Sequence, residues 1–252
     1  MKNIISTVLL FLFLLPASSL FATTDSSSDN PNIKELAKYF EAKGYEFNKL
    51  LEDSRFKLVE KITEKFTRSA EVRIESFEQY QNAVGYESKK NKIREFMNLY
   101  SVELAAAEKE YGIPKNIIAG IIGIESEFGQ YVGSYNPFNA YVSMYSEGHR
   151  SEFAKAQLEE LLIFAKNNEL DVFEMKSSYA GAMSFAQFIP YSLNRWFVGK
   201  DLYHMPNNIK SVANYLAHFL EITGSLEKAI YRYNPSSMYT KVVLALAEEG
   251  EG

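Results

Sequence analysis

From Asn30 almost to the last residue, apolar side chains recur three and four positions apart, and that spacing commits the chain to helices. Alternating strand patterns with hairpin turns are nearly absent. The expected fold class is therefore mainly all-α. Asn30-Pro31 reads as an N-cap followed by proline at the first helical position. Ile33, Leu36, Ala37 and Phe40 then mark one face, and Gly44 stops the helix. Phe96, Met97, Tyr100, Leu104, Ala107 and Tyr111 predict a second helix ended by Gly112, and Pro114 opens a third through Ile117, Ile118, Ile121 and Ile122. Residues 153–167, 210–220 and 240–249 are further helical candidates. No repeat and no internal linker follows Asn30, so residues 31–252 are read as one domain, long enough to bury a core of its own.

The first thirty residues read as an address. A short basic start, Met1-Lys2-Asn3, precedes an apolar run from Ile4 to Leu15, and Pro16-Ala17-Ser18-Ser19 supplies a break and small residues. This is the pattern of a secretory signal peptide over residues 1–22, with cleavage after Ser19 or Ala22. The run is short for a segment crossing about 30 Å of hydrocarbon, which weighs against a membrane anchor. Residues 23–30 form a polar, Ser/Asp-rich tether.

Composition narrows the chemistry. The absence of cysteine excludes disulfide scaffolds, thiolate metal sites, thiol nucleophiles and a cysteine-linked lipid anchor. His149, His204 and His218 form no pair at helical ligand spacing, so no metal site is expected. A net charge of -5 argues against nucleic acid as a partner.

Three segments carry candidate chemistry. In Ile117 to Gly129 a very apolar helix meets Glu125, which shares a helical face with Ile118, Ile121, Ile122 and Phe128. Gly120 and Gly123 leave room for another element to approach. A carboxylate on such a face is desolvated, and desolvation raises its pKa towards the value a general acid needs. The alternative is a structural buried glutamate satisfied by an Arg or by backbone amides. Two residues on, Glu127 would point to the opposite side of a continuing helix, so a surface role is expected for it. The stretch Ser178 to Pro190 alternates small and aromatic residues around Gln187, whose amide both donates and accepts. It suits either a ligand wall or tight helix packing. Tyr231 to Tyr239 groups tyrosines with Asn234 and two serines around Pro235, a polar-aromatic surface suited to carbohydrate or a turn capped by Ser236 or Ser237.

Taken together and in order, these stretches resemble the lytic murein transglycosylases of the membrane-bound lytic murein transglycosylase B type, glycoside hydrolase family 103. The resemblance rests on Tyr111-Gly112-Ile113-Pro114, Ile121 to Gly129, His149-Arg150-Ser151-Glu152-Phe153, Ser178 to Pro190, Ser211 to Tyr215 and Arg232 to Tyr239. It implies a lysozyme-like helical domain with a substrate cleft, acting without a cofactor on the glycan strands of peptidoglycan. The reaction implied cleaves between N-acetylmuramic acid and N-acetylglucosamine without water and leaves a 1,6-anhydro ring. By position, Glu125 corresponds to a single catalytic acid and base. Ser178, Gln187, Tyr215, Tyr233, Asn234 and Tyr239 fall on cleft positions, and Arg150 falls near a site for the stem peptide.

The signal peptide, with no cysteine for a lipid anchor, implies export to the periplasm, and the chain is expected to act as a monomer with cell-wall or secretion-system proteins as further partners. Glu127 stands where the family commonly has Arg, and Ser184 where it commonly has Gly. The Trp196 to Ile209 stretch lacks the Asp-rich loop that binds calcium in some members, so no calcium site is expected. The alternatives are a hydrolytic muramidase, which needs a second acid or a base-held water, and a non-catalytic peptidoglycan-binding or scaffold protein.

Overall fold

Asn30 accepts hydrogen bonds from the backbone N–H groups of Asn32 (2.9 Å) and Ile33 (3.3 Å), so the first helix starts with its orphan donors partnered. The computed structural model describes residues 30–71 and 74–251. The expected signal peptide and all of the tether except Asn30 lie outside the described residues. Helix α1 spans Pro31–Ala42 and buries Ile33, Leu36, Ala37 and Phe40, the face read from the sequence. Helices α2 (Phe47–Glu52), α3 (Ile62–Glu71) and α4 (Phe77–Ala83) follow. A capping box opens α4: Ser76 accepts from the Gln79 N–H, and the Gln79 side chain accepts from the Ser76 N–H.

The stripe from Phe96 to Tyr111 is two helices, not the single one expected. Helix α5 covers Tyr86–Leu99 and α6 covers Ser101–Tyr111, broken at Tyr100 (φ -110°, ψ 30°). The break lets both helices face the core, and it leaves Leu99 and Val102 exposed on the outside of the corner. Then come α7 (Lys115–Ser126), α8 (Pro137–Ser146), α9 (Ser151–Asn168), a 3-10 turn (Val172–Glu174), α10 (Pro190–Trp196), α11 (Met205–Thr223), α12 (Leu226–Tyr233) and α13 (Ser237–Glu249). Among the described residues there are no strands, only three isolated bridges that join Tyr135, Ser177, Met183 and Phe188.

Helix α7 is the axis. Its residues from Asn116 to Gly123 are all buried, and so is Glu125. A helix apolar all round must be enclosed, and α5, α6, α11 and α13 enclose it. The two glycines set the approach of α13. A Cβ on Gly120 would lie 3.0 Å from the Val243 carbonyl oxygen, and one on Gly123 would lie 3.1 Å from Leu246 Cδ2. Helix α8 is likewise buried along its whole length and packs against α9 and α1. Its serines spend their hydroxyls on backbone: Ser143 donates to the Asn139 carbonyl (2.6 Å), and Ser146 donates to the Ser143 carbonyl (2.9 Å). The buried apolar side chains form one continuous core from Ile33 to Ala247.

Because the obstacle at Gly120 is backbone, a side chain there cannot be accommodated by a rotamer change. Gly120→Val is expected to cost about 1–3 kcal/mol of folding stability, read as a lower urea midpoint at unchanged slope.

Candidate active site

Helix α7 ends at Ser126, and the chain then makes three successive left-handed residues: Glu127 (φ 50°), Phe128 (φ 60°) and Gly129 (φ 89°). For Glu127 and Phe128 this conformation costs of order 1–3 kcal/mol each. Ser126 is the pin of the turn. Its hydroxyl donates to the Ile122 carbonyl (3.1 Å) and accepts from the Gly129 N–H (3.0 Å), and its own carbonyl accepts from the Tyr131 N–H (3.0 Å). The turn sends the Phe128 ring back over Gly123, where a Cβ would lie 2.6 Å from it, and the Glu125 carboxyl is left inside.

Glu125 is 9% exposed. Its Oε1 accepts a 2.6 Å hydrogen bond from the Tyr239 hydroxyl of α13. Burial pushes its pKa up, the Tyr239 hydrogen bond pulls it partly back, and the result is about 7. Burial, and then the Glu125 charge, also push the phenols of Tyr80, Tyr233 and Tyr239 above their ordinary range, so all three stay hydroxyl donors.

Glu125 and Glu127 line the same cavity of about 240 Å³, which corrects the surface role expected for Glu127. The helical rule that two such residues diverge fails here because the helix stops between them. Their environments are opposed. Burial pushes the Glu127 carboxyl up, but the Lys92 ammonium (2.6 Å), the nearby Lys89 and the Ser88 hydroxyl (3.3 Å) outweigh it and hold the group below its ordinary value. One acid of the cavity is thus poised to hold a proton and the other is fixed as a carboxylate.

The site residues named from the sequence fall into three groups. Tyr239 and Asn234 line the cavity with Glu125, and Asn234 Oδ1 is buried without a partner. Tyr233 donates to the Ala186 carbonyl (2.6 Å) and so ties α12 to the 178–190 segment. That segment is an irregular wall held by backbone bonds rather than a helix. Ala186 N–H donates to Asn208 Oδ1 (3.1 Å), the Tyr141 hydroxyl donates to the Gly181 carbonyl (3.0 Å), and Ser178 Oγ accepts from the Ala182 N–H (3.2 Å). Gln187 donates to the Ser184 carbonyl (3.0 Å) while its Oε1 is left without a partner. Ser184 adopts φ 66°, a conformation that glycine takes without strain, and its hydroxyl helps by accepting from the Ala186 N–H (3.2 Å).

The remaining two lie away from the carboxyl. Tyr215 packs between Trp196, Phe219, Phe188 and Tyr233, and its hydroxyl is committed to the Arg232 carbonyl (2.7 Å). Arg150, itself left-handed (φ 49°), lays its guanidinium 4.1 Å over the Phe153 ring. Tyr80, Lys89 and Tyr131 also line the Glu125 cavity, and the sequence alone did not single them out. The Ser76/Gln79 capping box was a signal for α4, but nothing in it tells that α4 leans its Tyr80 against the end of α7.

The model of the transglycosylase SLT domain matches residues 28–219. The membrane-bound lytic murein transglycosylase B of Escherichia coli is 35% identical over 127 residues, a stretch covering 48% of this chain and 35% of that protein's length. The lytic transglycosylase SltB1 of Pseudomonas aeruginosa superposes with a TM-score of 0.77 at 24% identity, covering 90% of this chain and 97% of that one. An Escherichia coli lytic transglycosylase in complex with bulgecin A gives 0.79 at 21% identity, over 90% and 94%. SltB3 of Pseudomonas aeruginosa, in complex with NAG-anhNAM-pentapeptide, gives 0.75 at 18% identity, over 87% and 78%. These likenesses establish the all-α fold of that group for this chain.

The buried carboxyl has a consequence for stability. The folded state binds its proton more tightly (pKa about 7) than an unfolded chain would (near 4.5), so its contribution is fully present below pH 4.5 and is lost as pH rises to about 7. Glu125→Gln removes that loss. The variant is expected to match wild type near pH 4.5 and to exceed it above pH 7 by up to about 3 kcal/mol, measured by denaturant titration across pH.

Proposed function

Because the chain belongs to the transglycosylase SLT domain family, we propose that it is a peptidoglycan lytic transglycosylase with Glu125 as its single acid and base. The observation that carries this reading is the Glu125 carboxyl, buried at the wall of a cavity, with a pKa of about 7 and a phenol as its hydrogen-bond partner. Near neutral pH such a group is protonated often enough to donate and ionised easily enough to accept.

In the first step protonated Glu125 gives its proton to the glycosidic oxygen as the bond from the muramic acid C1 to that oxygen breaks. The N-acetyl oxygen of the same sugar covers C1, which substitutes for a second protein carboxylate. In the second step the Glu125 carboxylate takes the proton of the C6 hydroxyl, whose oxygen bonds to C1 and releases the N-acetyl oxygen. The product is a 1,6-anhydro ring, no water is consumed, and the acid is regenerated. An intramolecular hydroxyl held close to C1 competes strongly with water. Tyr239 steadies the carboxylate between the two steps.

The proposed substrate contacts are the unpartnered acceptors Gln187 Oε1 and Asn234 Oδ1, the Ser178 hydroxyl, and the rings of Tyr239 and Tyr233. Tyr215 acts from behind by supporting Tyr233. Arg150 is half-buried on Phe153 with no carboxylate partner among the described residues and suits a stem-peptide carboxylate. Export on residues 1–22 would bring the chain to this substrate. Among the described residues no helix is long and apolar enough to cross a membrane.

A hydrolytic muramidase is the competing reading, since Glu127 gives the cavity a second carboxylate. Its bonds to Lys92 and Ser88 depress its basicity, which disfavours it as the base that activates water. Digestion of purified sacculi decides between them. The expected products carry anhydro ends, lighter by one water than hydrolytic ends, and Glu125→Gln is expected to release about 10³-fold less soluble material or none. Activity should decline as pH rises through about 7, where the acid form is lost. Release of hydrolytic ends, or undiminished release by the Gln variant, would refute the proposal.

A further inference from the structure

Helix α5 buries Tyr86, Lys89, Ile93 and Phe96, a stripe at three-and-four spacing with a lysine at one of its apolar positions. Lys89 is 8% exposed. A lysine so enclosed ordinarily has a partner of opposite charge, and Lys89 has no ion pair among the described residues. Its ammonium donates to the carbonyl of Val84 (2.6 Å), at the end of α4. Gly85 (φ 65°) passes close by, where a Cβ would lie 3.5 Å from Nζ.

Lys89 lines the Glu125 cavity of about 240 Å³. It stands off from the carboxyl that reacts: the Glu125 pKa follows burial and Tyr239, while Lys89 acts on Glu127. The charges of this wall do not cancel. Glu127 is taken by Lys92 (2.6 Å), and below about pH 7 Glu125 carries a proton, so Lys89 leaves one positive charge over. Burial works against that charge, Glu127 offsets it only in part, and Lys92 adds to the burden. Asn234 lines the same cavity, and its Oδ1 is a buried acceptor with no partner. A cation without an anion and an acceptor without a donor thus border one space.

We propose that Lys89 reads the free lactyl carboxylate of a muramic acid that has lost its peptide, so that strands with a peptide-free muramic acid at this position are favoured; this rests on the function given above. The lactyl carboxyl is the one acidic group of N-acetylmuramic acid, and an amide bond to a peptide removes its charge. Hydrolysis of that amide restores the carboxylate on the sugar itself, small enough to follow the ring into an enclosed cavity. A lysine ammonium is a compact point charge with protons to give such an oxygen. Asn234 Oδ1 suits the N–H of an N-acetyl group. A neutral sugar would find polar partners in Tyr80 and Asn82 of the same lining and leave the Lys89 charge unused. The class of reaction that supplies this substrate is hydrolysis of the amide between the lactyl carboxyl and the peptide.

The full chain is tested on glycan oligomers with free lactyl carboxylates and on the same oligomers with those groups converted to primary amides. Wild type is expected to cut the carboxylate form with a KM about tenfold lower at similar kcat. Lys89→Met, which keeps the stem and loses the charge, should bring that KM ratio to about one. Equal KM values for the two oligomers with wild type overturn the proposal. So does a Lys89→Met variant whose kcat falls alike on both oligomers while the KM ratio survives, the mark of a merely structural lysine. Calorimetric binding to Glu125→Gln separates this site from the proposed function. If wild type cuts neither oligomer but the Gln variant binds the carboxylate form about tenfold tighter, that function is sunk and the Lys89 site stands. Equal binding of the two forms sinks the Lys89 site whatever the chain cuts.

Discussion

The structure depends on keeping one carboxyl group dry. Glu125 sits at the last turn of α7, under α13 and beside α4, where burial leaves its anion poorly solvated. Its single hydrogen bond, from Tyr239, is too little to offset that desolvation, so the proton stays on until about pH 7. Nothing cationic offsets the burial. Lys89, which lines the cavity, and Lys92 act on Glu127 instead. Had either ammonium bonded to Glu125, the group would be an ordinary ionised carboxylate with no proton to give.

That environment is costly to build. It needs α13 to approach α7 more closely than side chains allow, hence Gly120 and Gly123. It needs the chain after Ser126 to reverse within three residues, hence the left-handed Glu127 and Phe128, with Phe128 closing over Gly123. Strain of this size persists only where packing over-determines the backbone. The enclosure of α7 by four helices supplies that packing.

Much of this was legible in the sequence, and what was not has physical reasons. The three-and-four spacing gave the long helices, because α1, α7 and α11 each bury a stripe or more. It failed at Tyr100, where a stripe continuous in sequence hides a corner in the backbone, because periodicity reports which residues are buried and not whether the axis bends. It gave no warning of α8, which is buried on every side and so has no stripe to show. Glu125 stood out as a lone charge among isoleucines. Tyr80 did not, because it comes to the same cavity from a helix far away in sequence. Glu127 was misplaced by extending helical geometry one residue beyond the helix.

The opposition between the two acids argues for chemistry with one of them. A hydrolytic pair needs a base strong enough to take a proton from water, and the lysine and serine bonds that keep Glu127 ionised are the same bonds that weaken it as a base. Its fixed charge nevertheless has a use. It pairs with Lys92 (2.6 Å), so that ammonium is spent on Glu127 and not on Glu125. What the site requires is an uncharged surrounding for Glu125, and the satisfied Glu127–Lys92 ion pair (2.6 Å) leaves it one.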